Sequence, residues 1–96
     1  MFEWDPRKDA INVQKHGVSF DEAATVFVDP DALDGPDLKH SAREPRSLRL
    51  GQSLEGRVLI VAYTVRGSGN GETVRIISAR RASRAERAAY VHRRND

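Results

Sequence analysis

Apolar residues recur with two different periods along the chain, and these periods predict helices at its start and end with strands between them. Phe20, Ala23, Ala24 and Phe27 have the three- and four-residue spacing of a helix face that packs on a core. Residues 57–64 have a continuous apolar centre, which is typical of a strand buried on both faces. The predicted order is helix, helix, strands and a final helix.

Residues that satisfy free backbone groups mark the ends of the first two helices. Asp5 and Pro6 are the types favoured just before and at the first helical position, so the first helix starts there. It runs to about His16, and Gly17 ends it because glycine adopts the left-handed conformation of a helix C-cap. Asp29-Pro30 stops the second helix, since the residue before a proline disfavours helical geometry. The two helices therefore meet at a short corner.

A Ser-x-x-Glu pattern occurs twice. It is typical of a capping box, in which each side chain accepts a hydrogen bond from the other residue's backbone N–H. Ser19 and Glu22 form the first copy, at the start of the second helix. Ser83 and Glu86 form the second copy, and the last helix should begin at Arg84. This helix directly follows a strand, so the corner presents arginines on a short, rigid connection.

Strand signals fill the middle of the chain and one segment near its start. The predicted strands are Phe2 to Trp4, Ala32-Leu33, Arg46 to Leu50, Arg57 to Thr64 and Thr73 to Arg81. Gly51 is predicted to end a strand, residues 29–44 to form an acidic surface loop with a turn at Asp34 to Asp37, and Gly67 to Gly71 to form a flexible hairpin loop. Short connections predict an antiparallel meander of three to four strands. Residues 1–96 would then form one α+β domain, with helices packed on one side of the sheet.

The composition narrows the class of protein. With 39% hydrophobic and 31% charged residues in 96, the chain is expected to be globular. It has no cysteine, which excludes disulfides and thiolate metal sites. Its histidines, His16, His40 and His92, share no ligand-like spacing, so we expect no metal and no cofactor. No apolar run is long enough to span a membrane and no signal peptide follows Met1, so a cytoplasmic location is expected.

Charge is unevenly distributed along the chain, although the net charge is only +2. Residues 1–48 carry 6 Lys and Arg against 10 Asp and Glu, a net charge of −4. Residues 49–96 carry 10 against 4, a net charge of +6. This asymmetry indicates one surface for a polyanion and another for a different partner.

The chemistry available to the chain is cationic. No Ser-His-acid arrangement, phosphate-binding loop before a helix or pair of carboxylates stands out in the sequence. RNA cleavage without a metal suits such a chain, because the 2′-hydroxyl can attack its own phosphate. The protein then supplies orientation, a proton acceptor, a proton donor and cations around the phosphorane. A second hypothesis is a non-catalytic module whose basic strand and helix bind nucleic-acid phosphates.

The predicted phosphate ligands are arginines of the last hairpin. We predict that Arg80 and Arg81 hold the scissile phosphate, with Arg75 and Arg66 as supporting cations. Strand alternation puts Arg75 and Arg81 on one face and Arg80 on the other, unless the strand bulges. One of the two adjacent arginines should therefore matter far more than the other. The alternative for each arginine is a surface ion pair.

Further candidates lie on the first and last helices. Lys15 or His16 is predicted to take part in proton transfer or to contact the leaving group, because imidazole can give and take protons near neutral pH. The alternative is that both are cations stabilising a helix C-terminus. Arg84, Tyr63 and Tyr90 are candidate substrate contacts, and the alternative for both tyrosines is a place in or beside the core.

Motifs along nearly the whole chain, taken in order, carry a family resemblance. They are Phe2-Glu3-Trp4-Asp5-Pro6-x-Lys8, then Asn12, then Lys15-His16-Gly17-Val18-Ser19-Phe20-x-Glu22-Ala23, and finally Arg75-Ile76-Ile77-Ser78-Ala79-Arg80-Arg81-Ala82 with Glu86 and Tyr90. Together they resemble the BrnT family, toxins of bacterial type II toxin–antitoxin modules. The resemblance implies a RelE-like fold, a ribonuclease that blocks translation without a metal, and a neutralising BrnA antitoxin. It also implies that the complex of toxin and antitoxin represses its own operon.

The partner is expected to cover the cationic region. We expect a BrnA-like antitoxin in a 2:2 hetero-oligomer, with an acidic or amphipathic segment near residues 75–87. Alanines of the last helix would let another backbone approach closely; these are Ala82, Ala85, Ala88 and Ala89. The alternative is that they pack on this protein's own sheet. Operator DNA would be bound through the antitoxin, because the acidic N-terminal half of this chain is a poor match to a duplex.

Overall fold

The computed structural model describes residues 1–40, 44–67 and 69–95. Its elements are β1 (Phe2–Glu3), α1 (Pro6–His16), α2 (Phe20–Thr25) with a 3₁₀ turn (Val26–Val28), β2 (Leu33–Pro36), β3 (Ser47–Gln52), β4 (Val58–Arg66), a 3₁₀ turn (Gly69–Gly71), β5 (Thr73–Arg81) and α3 (Arg84–Arg94). The α+β class and the order of elements are as predicted. Residues 41–43 of the predicted surface loop and Ser68 of the predicted hairpin loop lie outside the described residues.

The sheet has five strands in the order β1-β5-β4-β3-β2. The prediction of three to four antiparallel strands is wrong in two details. β1 pairs with β5 in parallel, through the register of Phe2 with Val74, because α1 and the rest of the chain separate the two strands. β2 pairs with β3 and takes in Gly35 and Pro36, which were assigned to a turn. Proline is tolerated here because β2 is an edge strand.

Gly51 lies within β3, although it was predicted to end that strand. A Cβ atom at this position would come within 2.8 Å of Val26 Cγ1 and 2.9 Å of Ala32 Cβ. Neither distance leaves room for a methyl group. The glycine is therefore required for close packing of the 3₁₀ turn on the sheet, and it does not mark a chain reversal.

The core lies between one face of the sheet and the α1–α2 corner. Its fully buried side chains are Val18, Phe20, Ala23, Val26, Leu59, Val61, Ile76 and Ala79. The predicted apolar stripe of the second helix is confirmed, with Phe20 and Ala23 buried and Ala24 and Phe27 partly buried against the cluster. We call this the core face of the sheet. Neighbouring residues of β4, Ile60 and Ala62, point to the opposite face.

A bulge in β5 overturns the predicted alternation of that strand. Ala62 pairs with Ser78, but the next residue, Tyr63, pairs with Ile76, so Ile77 is the extra residue. Ile76 and Ala79 consequently both enter the core, despite their odd spacing. Arg75 therefore shares the face of Arg80 rather than that of Arg81, as their pairing with Thr64 and Ile60 shows.

Capping residues set the ends of α1, and the side-chain amide of Asn12 holds the helix against β5. Asp5 accepts a hydrogen bond from the backbone N–H of Arg7, and Gly17 has φ 68°, so both predicted ends are confirmed. Asn12 is buried, and its Nδ2 donates to the carbonyls of Val18 at 2.8 Å and Ala79 at 2.7 Å. Its Oδ1 accepts from the Ala79 N–H at 3.1 Å. Asn12 thus bonds both backbone groups of Ala79, as a neighbouring strand would.

Candidate active site

A cavity of about 480 Å³ lies on the sheet face opposite the core. Leu48, Ile60 and Ala62 line it with apolar side chains, and Ser78 and Arg80 contribute from β5. The end of α1 and the segment that follows β2, residues 36–40, also line it. The result is a partly apolar hollow that polar groups approach from three separate elements, which is typical of a ligand or active site.

Arg80 reaches the cavity with its guanidinium already oriented. Nη1 donates to Glu86 Oε1 at 2.7 Å and Nη2 donates to Oε2 at 2.9 Å. Nη1 also donates to the Arg81 carbonyl at 3.3 Å. The Arg80 hydrogen bonds lower the pKa of Glu86 to about 2, and the same pair raises the pKa of Arg80. A guanidinium carries five N–H donors, so donors remain on Arg80 for a phosphate.

Glu86 has a second role, at the start of α3. Its Oε1 accepts from the Ser83 N–H at 2.8 Å, and its own N–H donates to Ser83 Oγ at 3.1 Å. The predicted capping box at this helix is confirmed. The start of the helix and the orientation of Arg80 therefore depend on one carboxylate.

Arg81 lies on the other face of the strand from Arg80, as strand alternation predicts. It lines a smaller groove of about 170 Å³ together with Arg57 and Arg87. The two adjacent arginines consequently cannot act on one phosphate from the same side. Which of them contacts RNA stays a prediction.

His16 lines the cavity as the last residue of α1. The left-handed Gly17 ends the helix there, and the Asn12 contacts hold the helix end against β5 beside Arg80. Lys15 is exposed on the same turn and is not among the cavity residues. The structure thus brings together His16 and Arg80 out of the four predicted catalytic residues.

His40 also lines the cavity, although it was not among the residues predicted to form the site. Its Nδ1 lies 3.2 Å from Oδ2 and 3.3 Å from Oδ1 of Asp37. Asp37 as a whole is only 7% exposed. The Asp37 N–H donates to the Arg46 carbonyl at 2.9 Å, which closes the base of this segment. The available signal was the spacing Asp-x-x-His after a proline, which by itself is common in surface turns. Lys39, between them, lines the cavity as well.

The two candidate tyrosines contact aspartates away from the cavity. Tyr63 donates to Asp34 Oδ1 at 2.6 Å and stacks edge-on against Phe27. Tyr90 is 2% exposed and donates to Asp29 Oδ2 at 2.6 Å. Burial, and then the neighbouring carboxylate, raises the pKa of each tyrosine to about 12. The structure therefore places both hydroxyls in tertiary contacts between elements.

The three remaining candidate arginines also lie outside the cavity lining. Arg66 lies 3.5 Å from Glu44, and Arg75 lies 3.6 Å from Glu3. Arg84 is exposed at the first position of α3.

Within the described ranges, no three His, Asp or Glu side chains form a cluster that could hold a metal ion. Among the same residues, no helix has the length and apolar character needed to cross a bilayer.

Comparisons with known proteins agree with the fold and the motifs. The model of the family described as the ribonuclease toxin BrnT of type II toxin–antitoxin systems matches residues 4–86. The crystal structure of the Brucella abortus ribonuclease toxin BrnT is similar, with a TM-score of 0.65 and 25% sequence identity over 88% of this chain and 99% of that chain. No curated protein sequence matches the chain. Because the family model spans most of its length, the chain belongs to the BrnT family of ribonuclease toxins of type II toxin–antitoxin systems.

Proposed function

We propose that this chain cleaves RNA internally without a metal ion and thereby inhibits translation. The observation that supports this most is the cavity that Arg80, oriented by Glu86, and His16 both line, beside apolar side chains of the sheet. An oriented guanidinium beside low-polarity walls stabilises a dianionic phosphorane better than a mobile cation in water does. The proposed site of action is the cytoplasm, where the RNA of translation is found.

Besides the RNA and these side chains, the reaction needs only a proton donor for the leaving 5′-oxygen. The 2′-oxygen attacks the adjacent phosphorus while His16 takes the 2′-hydroxyl proton, and the bond from phosphorus to the 5′-oxygen breaks. Arg80 binds the non-bridging oxygens as their charge increases. The products are a 2′,3′-cyclic phosphate and a 5′-hydroxyl end. Arg81, on the other side of the strand, is assigned to a flanking phosphate.

The remaining predicted contacts fit supporting roles in this proposal. Lys15, Arg66, Arg75 and Arg84 are exposed or partly exposed cations outside the cavity, where they would attract RNA through its charge. Tyr63 and Tyr90 are not retained as substrate contacts, because their hydroxyls already donate to the carboxylates of Asp34 and Asp29.

Purified protein tests the proposal directly. RNA incubated with the chain in excess EDTA should yield fragments with 2′,3′-cyclic phosphate ends, and Arg80→Ala should form them about 10²–10³-fold more slowly. Cleavage that stops in EDTA and returns with a divalent cation would contradict metal independence. The competing hypothesis of a non-catalytic module predicts steeply salt-dependent RNA binding with no fragments from any preparation.

The proposal includes an antitoxin, which the type II family implies as a class of partner. We propose a BrnA-like protein in a 2:2 complex that covers α3 and the neighbouring cavity rim. Support comes from the helix surface, because Ala85, Ala88 and Ala89 are exposed rather than packed on the sheet, and Val91 is 45% exposed. Small residues let another backbone approach closely, and the arginines around them complement an acidic segment.

Expression experiments test the partner. Induction of the chain alone should arrest growth, and co-expression of the adjacent open reading frame should restore it. A tagged chain should recover that product, and the complex should shift the shared promoter in a gel. Promoter binding by the toxin alone, as tight as that of the complex, would contradict the proposal that operator DNA is bound through the antitoxin.

A further inference from the structure

The segment after β2 brings a second imidazole into the cavity. His40 lines the same hollow as His16 and Arg80, although it lies 24 positions after His16 in the sequence. Its own backbone N–H donates to the Asp37 carbonyl at 3.3 Å, so the four residues form a turn. The turn is held at its base by the bond from the Asp37 N–H to the Arg46 carbonyl. A compact turn, rather than the side chain alone, therefore sets the position of His40.

The Asp37 carboxylate determines which nitrogen of the His40 ring faces the cavity. The Asp37 carboxylate lies beside Nδ1, and its side chain is 9% exposed while that of His40 is 64% exposed. A carboxylate at Nδ1 accepts the proton carried by that nitrogen and so sets the orientation of the ring. The other ring nitrogen, Nε2, is then the one that can exchange a proton with a bound molecule. A buried carboxylate that supports an exposed imidazole is an arrangement suited to proton donation.

A surface ion pair is the simplest competing explanation. Pairs between exposed side chains three positions apart contribute little to stability, typically below about 1 kcal/mol. Here the carboxylate is desolvated, which costs free energy that an exposed pair does not incur. The pair also borders an apolar hollow that already contains an oriented arginine. These two features favour a role for His40 in the chemistry of the cavity.

We propose that His40 is the general acid of RNA cleavage, with Asp37 as its positioning residue; this inference rests on the proposed function. As the bond from phosphorus to the 5′-oxygen breaks, that oxygen takes the proton from Nε2 of the His40 imidazolium. His16 has meanwhile accepted the 2′-hydroxyl proton, so protons and charge balance over the step. Bulk water then returns both histidines to their starting states.

The test uses one oligonucleotide in two forms, each with a single cleavable ribonucleotide linkage. In one form the leaving atom is the ordinary 5′-oxygen, and in the other it is a bridging sulfur, which leaves as a thiolate without needing a proton. Wild-type protein should cleave both. His40→Ala should lose about 10²-fold or more on the oxygen form, within the usual range for general acids. On the sulfur form its rate should return to within about tenfold of wild type.

Matched variants separate the roles. Arg80→Ala and His16→Ala should be impaired on both forms, since neither acts on the leaving group. Asp37→Asn should show a smaller loss on the oxygen form than His40→Ala and should also recover on the sulfur form. His92→Ala, a histidine exposed on α3, should match wild type on both. Melting temperatures of all variants show whether the fold is intact.

Several outcomes overturn the assignment. An unchanged rate for His40→Ala on the oxygen form, or an equal loss on both forms in a folded protein, rejects His40 as the acid. Recovery on the sulfur form by His16→Ala instead of His40→Ala also rejects the assignment, because the two roles are then exchanged. If the wild type binds but cleaves neither form, nor any cellular RNA, the proposed function itself fails and this inference fails with it.

Discussion

Two corners of the molecule start from the same four-residue pattern and end in different structures. At the start of α2, Glu22 follows Ser19, and at the start of α3, Glu86 follows Ser83. In both corners the serine hydroxyl accepts from the glutamate N–H, at 3.1 Å. Only at α3 does the glutamate side chain return to the serine N–H and complete a capping box. The prediction of two complete boxes is therefore wrong for α2.

The Glu22 side chain does not bond the Ser19 N–H because it binds the guanidinium of Arg57 instead. Arg57 donates to it from Nε at 2.9 Å and also from Nη2, and Ser53 Oγ donates at 2.8 Å. Arg57 Nη2 further donates to the Gly17 carbonyl at 3.0 Å. Glu22 is 6% exposed, and the Arg57 hydrogen bonds lower its pKa to about 2. This pair ties the α1–α2 corner to the start of β4.

The difference shows what decides the partner of a capping glutamate. A buried carboxylate needs cations or hydrogen-bond donors beside it, because removing its charge from water costs free energy that only such partners offset. At α3 the Glu86 side chain is 31% exposed and the Arg80 side chain 45% exposed, so water can substitute for part of the pair. The carboxylate of the first pair is enclosed by the fold, whereas the second pair leaves the Arg80 guanidinium accessible to solvent.

The largest expected effect is on cleavage when the exposed pair loses its arginine. Arg80→Ala should reduce the rate constant for RNA cleavage about 10²–10³-fold, the usual loss when one oriented donor to a developing oxyanion is removed. Its melting temperature should change little, because an exposed pair contributes at most about 1 kcal/mol. Single-turnover cleavage and thermal melting measure the two quantities.

Arg81→Ala is the matched control for that experiment, since it removes the adjacent arginine from the opposite side of the strand. It should reduce cleavage by less than about tenfold. Equal losses for the two variants would mean that both strand faces contribute to one site, against the separation seen in the structure.

Breaking the buried pair should instead reduce the stability of the fold. Arg57→Met removes the cation but keeps the apolar stem, and it leaves Glu22 buried without its main partner. We expect the free energy of unfolding to fall by about 3 kcal/mol, the lower end for broken buried pairs, because the Arg57 side chain is 30% exposed. Urea denaturation measures the loss. A change below about 1 kcal/mol would show that Glu22 finds water or another partner.

The two glutamates should also differ in how much they make stability depend on pH. This effect should be smaller than that of Arg57→Met. The pKa of Glu22 is about 2 in the folded chain against an ordinary value of 4.5, so its contribution is complete above pH 4.5 and is lost as the pH falls toward 2. Between pH 5 and 3 the wild type should therefore lose roughly 1–2 kcal/mol more than Glu22→Gln does. Glu86→Gln should remain close to wild type over this range, because solvent screens its pair. Denaturant midpoints at several pH values measure both slopes.

Local signals predicted most of the fold in this chain. The ends of α1 and the start of α3 follow from Asp5, Gly17 and Ser83, because caps act within a few residues. β4 and β5 follow from their apolar content. The parallel pairing of β1 was beyond prediction, since its partner lies about 70 positions away, and nothing local in Phe2–Glu3 specifies it.

The candidate site was less predictable, for physical reasons that differ between residues. Arg80 could be separated from Arg81 by strand alternation, but the bulge at Ile77 is hidden because its neighbour Ile76 is equally apolar. Nothing near Asn12 in the sequence marks Ala79 as its partner, and its bonds to Ala79 form only when α1 packs on β5. The role proposed for His40 depends on the burial of Asp37, which the sequence of a proline-containing loop does not reveal.

The smallest expected effect comes from Glu86→Gln, and it sharpens the comparison most. Glutamine can still accept from the Ser83 N–H, so the helix start is kept and stability should fall by less than about 1 kcal/mol. The charge beside Arg80 is lost, so the guanidinium should bind phosphate more strongly and the KM for RNA should fall about two- to fivefold. Without a bidentate anchor the guanidinium is less well oriented, so kcat should fall by a similar factor. Steady-state cleavage gives both constants, with Glu72→Gln as a charge-matched control on an exposed residue. If kcat and KM both stay at wild-type values while the helix remains intact, Glu86 acts only as a capping residue, and the oriented Arg80 is not what the substrate contacts.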